Sequence, residues 1–158
     1  MKKFISLFLC FGLFMSIGCA QATSDPPAKD QSEQSTQTGE MIMKIDNQTI
    51  DVVWENNDSV TELLTHAKNG LTIKMNQYGN FEQVGPIGKE ITSNDKKITT
   101  TPGDIMLYNS NQIVIFYGSN TWNYTKLGHI NLNETKLNEL LNKSSVTLYL
   151  GNEKGSAN

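Results

Sequence analysis

From residue 41 onward, apolar and polar residues alternate over several short stretches, and this period of two is typical of β-strands. Two such stretches near the middle of the chain, Ile105–Tyr108 and Ile113–Tyr117, are joined by the polar turn Asn109–Gln112 and predict a hairpin. An aromatic-rich loop, Ser119–Tyr124, is predicted after this hairpin. The residues from Tyr124 to Ile130 predict a further strand.

More strands are predicted on both sides of this hairpin. Their apolar residues stand at alternate positions: Met41, Met43 and Ile45; Ile50, Val52 and Trp54; Leu71, Ile73 and Met75; and Val146, Leu148 and Leu150. The first two stretches predict a hairpin that turns at Asn47-Gln48. Phe81–Val84, which follows the turn Tyr78-Gly79-Asn80, is predicted to be another short strand.

Two segments have the spacing of amphipathic helices. In the first, apolar residues fall at i, i+3, i+4 and i+7, namely Val60, Leu63, Leu64 and Ala67. Ser59 and Glu62 predict a capping box at its start, and Asn69-Gly70 predicts its end. The second is marked by Leu137, Leu140 and Leu141, with Asn133 as the predicted cap.

Many short strands with only two helices predict a mainly β fold, a closed or nearly closed β-barrel with two short helices. Closure leaves few exposed strand edges, which suits a domain without disulfides. The connection from Gly85 to Gly103 has two prolines and few apolar residues. A connection of this length is often functional or lies over the surface.

The N-terminal residues have the composition of a bacterial export signal. Lys2 and Lys3 precede the apolar stretch Phe4–Ile17, which is too short to span a bilayer comfortably. Ser16-Ile17-Gly18-Cys19 is similar to a lipobox, in which the cysteine becomes the lipid-bearing N-terminus, although Ser16 replaces the usual leucine. Cys19 is therefore the predicted lipidation site. The alternative is an ordinary cleaved signal with an incidental cysteine.

The sequence predicts four segments: a signal peptide at 1–19, a disordered tether at 20–40, a folded domain at 41–151 and a frayed tail at 152–158. The tether is rich in Gln, Ser, Thr and Pro and has almost no large apolar residue. The expected location is the cell membrane, with a lipid anchor holding a monomeric domain on the extracytoplasmic face.

Charge and cysteine content exclude several classes of protein. The two cysteines are Cys10 and Cys19, so the folded domain has no disulfide, cysteine metal ligand or thiol nucleophile. Without Lys2 and Lys3, 11 lysines face 16 acidic residues, a net charge of −5. An acidic chain without a basic stripe argues against a nucleic-acid partner.

Most of the folded region resembles the bacterial cyclophilin-like domain family. The segments that carry the resemblance are residues 71–75 (LTIKM), 78–79 (YG), 81–85 (FEQVG), 101–105 (TPGDI), 107–108 (LY), 111–118 (NQIVIFYG) and 119–128 (SNTWNYTKLG). The resemblance implies a cyclophilin-type barrel with helices closing its ends. It does not imply an activity, because one fold supports many functions.

The missing guanidinium argues against prolyl isomerisation. Cyclophilins hold an arginine over the substrate proline, and all 13 basic residues of this chain are lysine. A flexible ammonium, such as that of Lys74 or Lys126 in a similar cleft, does not replace a planar guanidinium. The expected function is therefore non-catalytic binding of a peptide or small ligand. A weak or divergent peptidyl-prolyl isomerase and a passive structural module are the alternatives.

The predicted ligand site is the aromatic loop around Trp122. Trp122, Tyr124 and Asn120 form one side, Ser119 and Asn123 are further hydrogen-bonding candidates, and Tyr78, Phe81 and Glu82 form a second wall. The alternative for each aromatic is packing in or around the barrel.

Other chemistry-bearing residues give weaker signals. Asp104, after Pro102-Gly103, is expected to stabilise a turn. The isolated His66 and His129 do not form a metal site, and the S-x-x-K spacing of Ser93–Lys96 lacks its companion motifs. We expect no cofactor, no metal and no catalytic residue.

Overall fold

A computed structural model describes residues 41–152, which form ten strands and two helices. The elements in chain order are β1 (Met41–Ile45), β2 (Gln48–Ile50), β3 (Val52–Trp54), α1 (Asp58–Ala67), β4 (Leu71–Tyr78), β5 (Glu82–Pro86), β6 (Lys96–Thr99), β7 (Asp104–Tyr108), β8 (Gln112–Phe116), β9 (Thr121–Ile130), α2 (Glu134–Leu141) and β10 (Ser145–Asn152). The predicted signal peptide, Cys19, the tether and residues 153–158 lie outside the described residues.

Nine strands form one antiparallel sheet in the order β2-β1-β10-β4-β5-β8-β7-β9-β3, and β6 pairs separately with β9. The two end strands, β2 and β3, are separated in the chain by Asp51 alone. One residue therefore joins the two edges of the sheet, and the strands enclose a nearly closed barrel. The predicted fold class, a mainly β barrel with two short helices, is confirmed.

Alternating residues of the strands fill the barrel. In β7 and β8 the inward residues are Ile105, Leu107, Ile113 and Ile115, all fully buried. The helices add Leu63 and Ala67 from α1 and Leu137, Leu140 and Leu141 from α2. These buried side chains form the inner core, and removing them from water is the main stabilising contribution of the sheet.

The opposite faces of the same strands carry a second group of buried apolar residues. Met106, Val114, Phe116 and Tyr124 are buried there, and the half-buried residues Phe81, Val84, Ile98 and Tyr108 pack against them. We call these eight residues the outer cluster. Because β7 and β8 are apolar on both faces, their sequences read as nearly continuous hydrophobic runs.

A bulge in β9 changes which side chains share a face. Ile105 pairs with Gly128 and Met106 with Lys126, so Leu127 is the extra residue. In a regular strand, residues three apart point to opposite faces. The bulge instead allows both Lys126 and His129 to contact Asp104, at 3.2 and 3.0 Å.

The start of α1 differs from the prediction. Asn57, and not Ser59, is the N-cap, because the Asn57 side chain accepts a hydrogen bond from the Val60 amide. Ser59 Oγ donates instead to the Thr92 carbonyl at 2.6 Å, and Glu62 accepts from the Thr92 amide and hydroxyl. Ser59 and Glu62, the residues of the predicted capping box, therefore bind the Gly85–Gly103 connection to α1. The predicted Asn133 cap of α2 is confirmed.

Three strand predictions need correction. Residues 50–54 do not form one strand, because Ile50 pairs with Met43 of β1 whereas Val52 pairs with Ile130 of β9. Gly151 and Asn152 pair with Ile42 and Met41, so β10 includes Asn152, the first residue of the predicted frayed tail. The Gly85–Gly103 connection contains β6 and buries Ile87 and Ile91, which makes it a structural part of the barrel.

Candidate ligand-binding site

A cavity of about 410 Å³ lies on the outer face of the barrel, between β4, β5, β8 and β7 on one side and the first half of β9 on the other. We call it the aromatic cavity. Its lining residues are Tyr78, Glu82, Val84, Tyr108, Gln112, Val114, Asn120, Trp122 and Tyr124.

Strand register explains why residues far apart in sequence meet here. Tyr78 pairs with Glu82, Val84 with Val114, and Tyr108 with Gln112. Directly paired residues of antiparallel strands point to the same face. The period of two along each strand therefore brings these side chains to the outside of the barrel.

Five of the six predicted site residues line this cavity: Tyr78, Glu82, Asn120, Trp122 and Tyr124. Phe81 does not line it. Its ring stacks on Phe116 in the outer cluster, with 6.5 Å between centroids, and it packs where Gly79 and Gly118 leave room. A Cβ on Gly118 would lie 2.7 Å from the Phe81 Cβ. Phe81 therefore packs in the outer cluster and is not part of the cavity wall.

The predicted loop around Trp122 is a strand. β9 begins at Thr121, and Trp122 pairs with Ile98 of β6. Trp122 and Tyr124 consequently point to the same face. The two further hydrogen-bonding candidates lie elsewhere, since Ser119 Oγ donates to the Thr100 carbonyl at 2.7 Å and Asn123 pairs with Lys97 in the ladder.

Sequence reasoning missed four lining residues: Val84, Tyr108, Gln112 and Val114. Val114 and Tyr108 alternate with inner-core residues in the predicted hairpin, and this alternation indicates that both side chains point outward. Nothing in the sequence indicated that the outward face of that hairpin would adjoin the aromatic residues of β9.

The aromatic walls differ in exposure and in packing. Trp122 is 57% exposed and Tyr78 is 68% exposed, so both rings offer open faces at the cavity rim. Tyr124 is held in place, because its ring meets those of Tyr108 and Phe116 edge-on, at 6.0 and 5.6 Å between centroids. Its hydroxyl also accepts a hydrogen bond from Asn120 Nδ2 at 3.1 Å.

Glu82 supplies the ionisable group of the cavity. It is only 6% exposed, and its Oε2 is buried without a hydrogen-bond partner among the described residues. Burial raises the pKa of Glu82 to about 7, because exclusion of water disfavours the charged carboxylate. Burial also raises the pKa of the Tyr124 hydroxyl, and the charge of Glu82 adds to that effect.

A second, polar cavity of about 330 Å³ adjoins the aromatic cavity, and Tyr124 lines both. It includes Asp58, Lys96 and Lys126. Lys126 Nζ lies 3.2 Å from Asp104 Oδ1 and 3.9 Å from Glu55 Oε1. Within residues 41–152, neither Lys74 nor Lys126 lines the aromatic cavity.

Asp104 stabilises a turn, as predicted. Its carboxylate accepts hydrogen bonds from the Thr101 amide at 2.8 Å and hydroxyl at 3.1 Å, and from His129. Burial raises the pKa of Asp104, but the Thr101, His129 and Lys126 contacts outweigh burial and lower the pKa overall. Asp104 lies outside the aromatic cavity.

The histidines have structural contacts, and His66 Nε2 lies 2.7 Å from the Ile87 carbonyl oxygen. Across residues 41–152, no cluster of His, Cys, Asp or Glu side chains has an arrangement that would hold a metal ion. Neither α1 nor α2 has the length and apolar character needed to cross a membrane.

A mainly β barrel with two short helices is the fold expected of a cyclophilin-like domain. The model of the cyclophilin-like family matches residues 43–150, so the chain belongs to that family. The chain is also similar to McbB, whose structure was solved in complex with tryptophan, with a TM-score of 0.53 and 11% identity. That similarity covers 75% of this chain and 46% of McbB, and it shows the fold alone. No curated protein matches the chain.

Proposed function

We propose that the protein is an exported, membrane-anchored domain that binds a peptide or small ligand in the aromatic cavity without catalysis. The observation that carries this proposal is the pair of exposed rings, Trp122 and Tyr78, on either side of a concave surface with a buried carboxyl group inside. Large aromatic side chains with open faces commonly supply the contact area of ligand sites.

The chemistry of the lining supports binding over catalysis. Glu82 is the one carboxyl group among the described residues that line this cavity, so a pair of carboxyl groups for acid–base chemistry is not found there. The other polar lining side chains are two amides, three phenols and the indole of Trp122. Prolyl isomerisation by the cyclophilin route needs a guanidinium, and the chain has no arginine.

The binding proposal is tested by NMR titration of the domain with a library of short peptides and small polar aromatics at about 1 mM each. Ligands are expected to shift the amide resonances of β5, β8 and the first half of β9. The Trp122→Ala variant should lose these shifts. Val53→Ala is the matched control, because Val53 is 66% exposed and lies outside the cavity. A library that moves no cavity resonance contradicts the proposal.

A weak peptidyl-prolyl isomerase is the competing function, because the fold is that of enzymes which rotate X–Pro bonds. The test is an isomerisation assay on a proline-containing tetrapeptide. We expect no rate above the uncatalysed one. A rate proportional to protein concentration that disappears in Trp122→Ala would replace binding with catalysis as the function.

The anchor has its own test. Cells given an alkyne-bearing fatty acid are expected to label the wild-type protein, and membrane fractionation should recover it with the envelope. The Cys19→Ser variant should be unlabelled and released. Absence of label on the wild type would favour an ordinary cleaved signal, and label on the variant would place the lipid on a residue other than Cys19.

A further inference from the structure

We infer that the aromatic cavity takes an organic cation, a protonated amine whose N–H group donates to Glu82 while its alkyl part contacts the surrounding rings. This inference rests on the proposed binding function and names its ligand class. The shared chemistry is an alkylammonium group, supplied either by a free amine or by the lysine side chain of a peptide.

The first argument is the unsatisfied acceptor. Buried polar atoms nearly always have a hydrogen-bond partner, and leaving one without a partner is unfavourable. Within residues 41–152, two buried side-chain atoms lack a partner, Glu82 Oε2 and Gln83 Oε1. Gln83 lies on the inward face, where its amide donates to the Leu141 and Lys143 carbonyls. Glu82 lines the cavity, so a bound ligand can supply its missing donor.

The second argument is the absence of a built-in counter-charge. No basic residue of the described chain lines the cavity, and its other polar side chains are neutral amides, phenols and the indole of Trp122. Lys126, which lies near Tyr124 in the polar cavity, contacts Asp104 instead. A buried carboxylate with no cation of its own attracts a ligand cation more strongly than a neutral donor.

The third argument is the ring system. Tyr78, Tyr108, Trp122 and Tyr124 line the same cavity as the carboxyl group. The faces of aromatic rings carry partial negative charge and attract cations. Aromatic walls around one carboxylate thus favour ammonium over both neutral and anionic groups of similar size. A volume of about 410 Å³ admits a small ligand or a single side chain.

The test compares three probes of similar size at pH 8: n-butylammonium, butan-1-ol and pentanoate. Affinities are measured by NMR titration of the domain, following the amides around Glu82 and Trp122. Butylammonium is expected to bind about tenfold more tightly than butan-1-ol, and pentanoate more weakly than both. The fourth probe is Nα-acetyl-lysine N-methylamide, whose side-chain ammonium is free. Tighter binding of this probe than of butylammonium would identify a peptide as the source of the cation.

Two variants localise the effect. Glu82→Gln keeps the size of the side chain and should weaken butylammonium binding about tenfold while leaving butan-1-ol unchanged. Glu90→Gln is the control, because Glu90 is exposed and outside the cavity, and it should bind like the wild type. Equal affinity of the wild type for butylammonium and butan-1-ol, or unchanged ammonium binding by Glu82→Gln, would overturn the inference.

Proton linkage gives an independent readout. Butylammonium stays charged from pH 6 to 8, so its affinity should follow the ionised fraction of Glu82 and rise about tenfold across that range. The other titratable lining side chains are Tyr78 on β4, Tyr108 on β7 and Tyr124 on β9, and burial raises the pKa of Tyr124. Lys96 and Lys126 line only the adjoining cavity. A flat pH profile contradicts a carboxylate contact.

The outcomes separate the ligand class from the function itself. If butan-1-ol or pentanoate shifts the cavity resonances as strongly as butylammonium, the cavity still binds ligands but not as a cation site. If no probe, peptide or aromatic shifts them, both the cation inference and the binding function fail.

Discussion

At the scale of single residues, the Glu82 carboxyl group lies where water is largely excluded, so its ionised form is unfavourable. Isolated glutamates are seldom buried in folded proteins unless they are paired. The folded protein therefore carries an unfavourable group at neutral pH. Such a group is expected where the site needs it for binding, because stability and function often conflict at functional sites.

The pH dependence of stability follows from this pKa. The Glu82 pKa rises from 4.5 in the unfolded chain to about 7 in the folded domain, so the folded state holds its proton more tightly. The associated stabilisation is fully present below pH 4.5 and is lost as the pH rises through 7. Allowing for water at the cavity mouth, the loss is about 2 kcal/mol.

We therefore predict that Glu82→Gln raises the free energy of unfolding at pH 8 by about 1–2 kcal/mol and has little effect at pH 4. Urea unfolding at both pH values measures this difference. Glu90→Gln, an exposed glutamate, should show no such pH dependence. A Glu82→Gln effect of the same size at pH 4 and pH 8 would mean that packing, and not charge, dominates.

Five of the residues that line the aromatic cavity were named from the sequence, but the depth at which Glu82 lies was not. Glu82 and Trp122 were expected near one another on grounds of aromatic clustering. The burial of Glu82 depends on the pairing of β5 with β8, which joins Glu82 to Phe116 in a distant part of the sequence. Long-range register of this kind is not encoded in any local pattern, so the buried carboxyl was not predictable.

At the scale of secondary-structure elements, the short strand β6 has a larger role than its four residues suggest. It lies in a connection that the sequence showed only as a polar loop. Ile98 pairs with Trp122 and is itself a residue of the outer cluster, whereas Lys97 of the same strand is exposed. β6 therefore supports the strand that carries Trp122 and Tyr124 to the cavity.

Ile98→Ala is predicted to lower the free energy of unfolding by about 1–2 kcal/mol, because Ile98 is half-buried and truncating it opens a gap over the outer cluster. Lys97→Ala is the matched control, because Lys97 also lies in β6 and pairs with β9 but its side chain points to the opposite face of the strand. It should change the free energy of unfolding by less than about 0.5 kcal/mol. Equilibrium urea unfolding compares the two. Similar effects for both variants would indicate that β6 contributes through its backbone pairing alone.

Element types were more predictable than element boundaries. The helical spacing of Leu63 and Ala67 indicated α1 correctly, but Ser59 was assigned the wrong partner, since Asn57 reaches the helix amides first. Trp122 was placed in a loop because its neighbours are polar. Those neighbours point away from the cavity on an exposed strand, and a strand with one solvated face has the same composition as a loop.

At the scale of the whole molecule, the barrel is closed by the chain itself. Ile50, Val52 and Trp54 alternate as one strand would, so no sequence pattern marks the point at which the chain passes from one sheet edge to the other. The resemblance to cyclophilin-like domains predicted a barrel, and the pairing of β2 with β1 and β3 with β9 shows where it closes. Met41 and Asn152 pair directly, so the ends of the domain are neighbours.

This arrangement makes closure testable by circular permutation. Residue 152 can be joined to residue 41 by a short linker, and new ends can be opened at Asp51 or, as a control, between Lys89 and Glu90 in an exposed connection. Opening at Asp51 frees β2 and β3, two three-residue edge strands, to fray independently. We expect that permutant to fold with a free energy of unfolding roughly 2 kcal/mol below the control. Urea unfolding measures both, and equal stabilities would show that the strand pairs hold the barrel closed without the Asp51 connection.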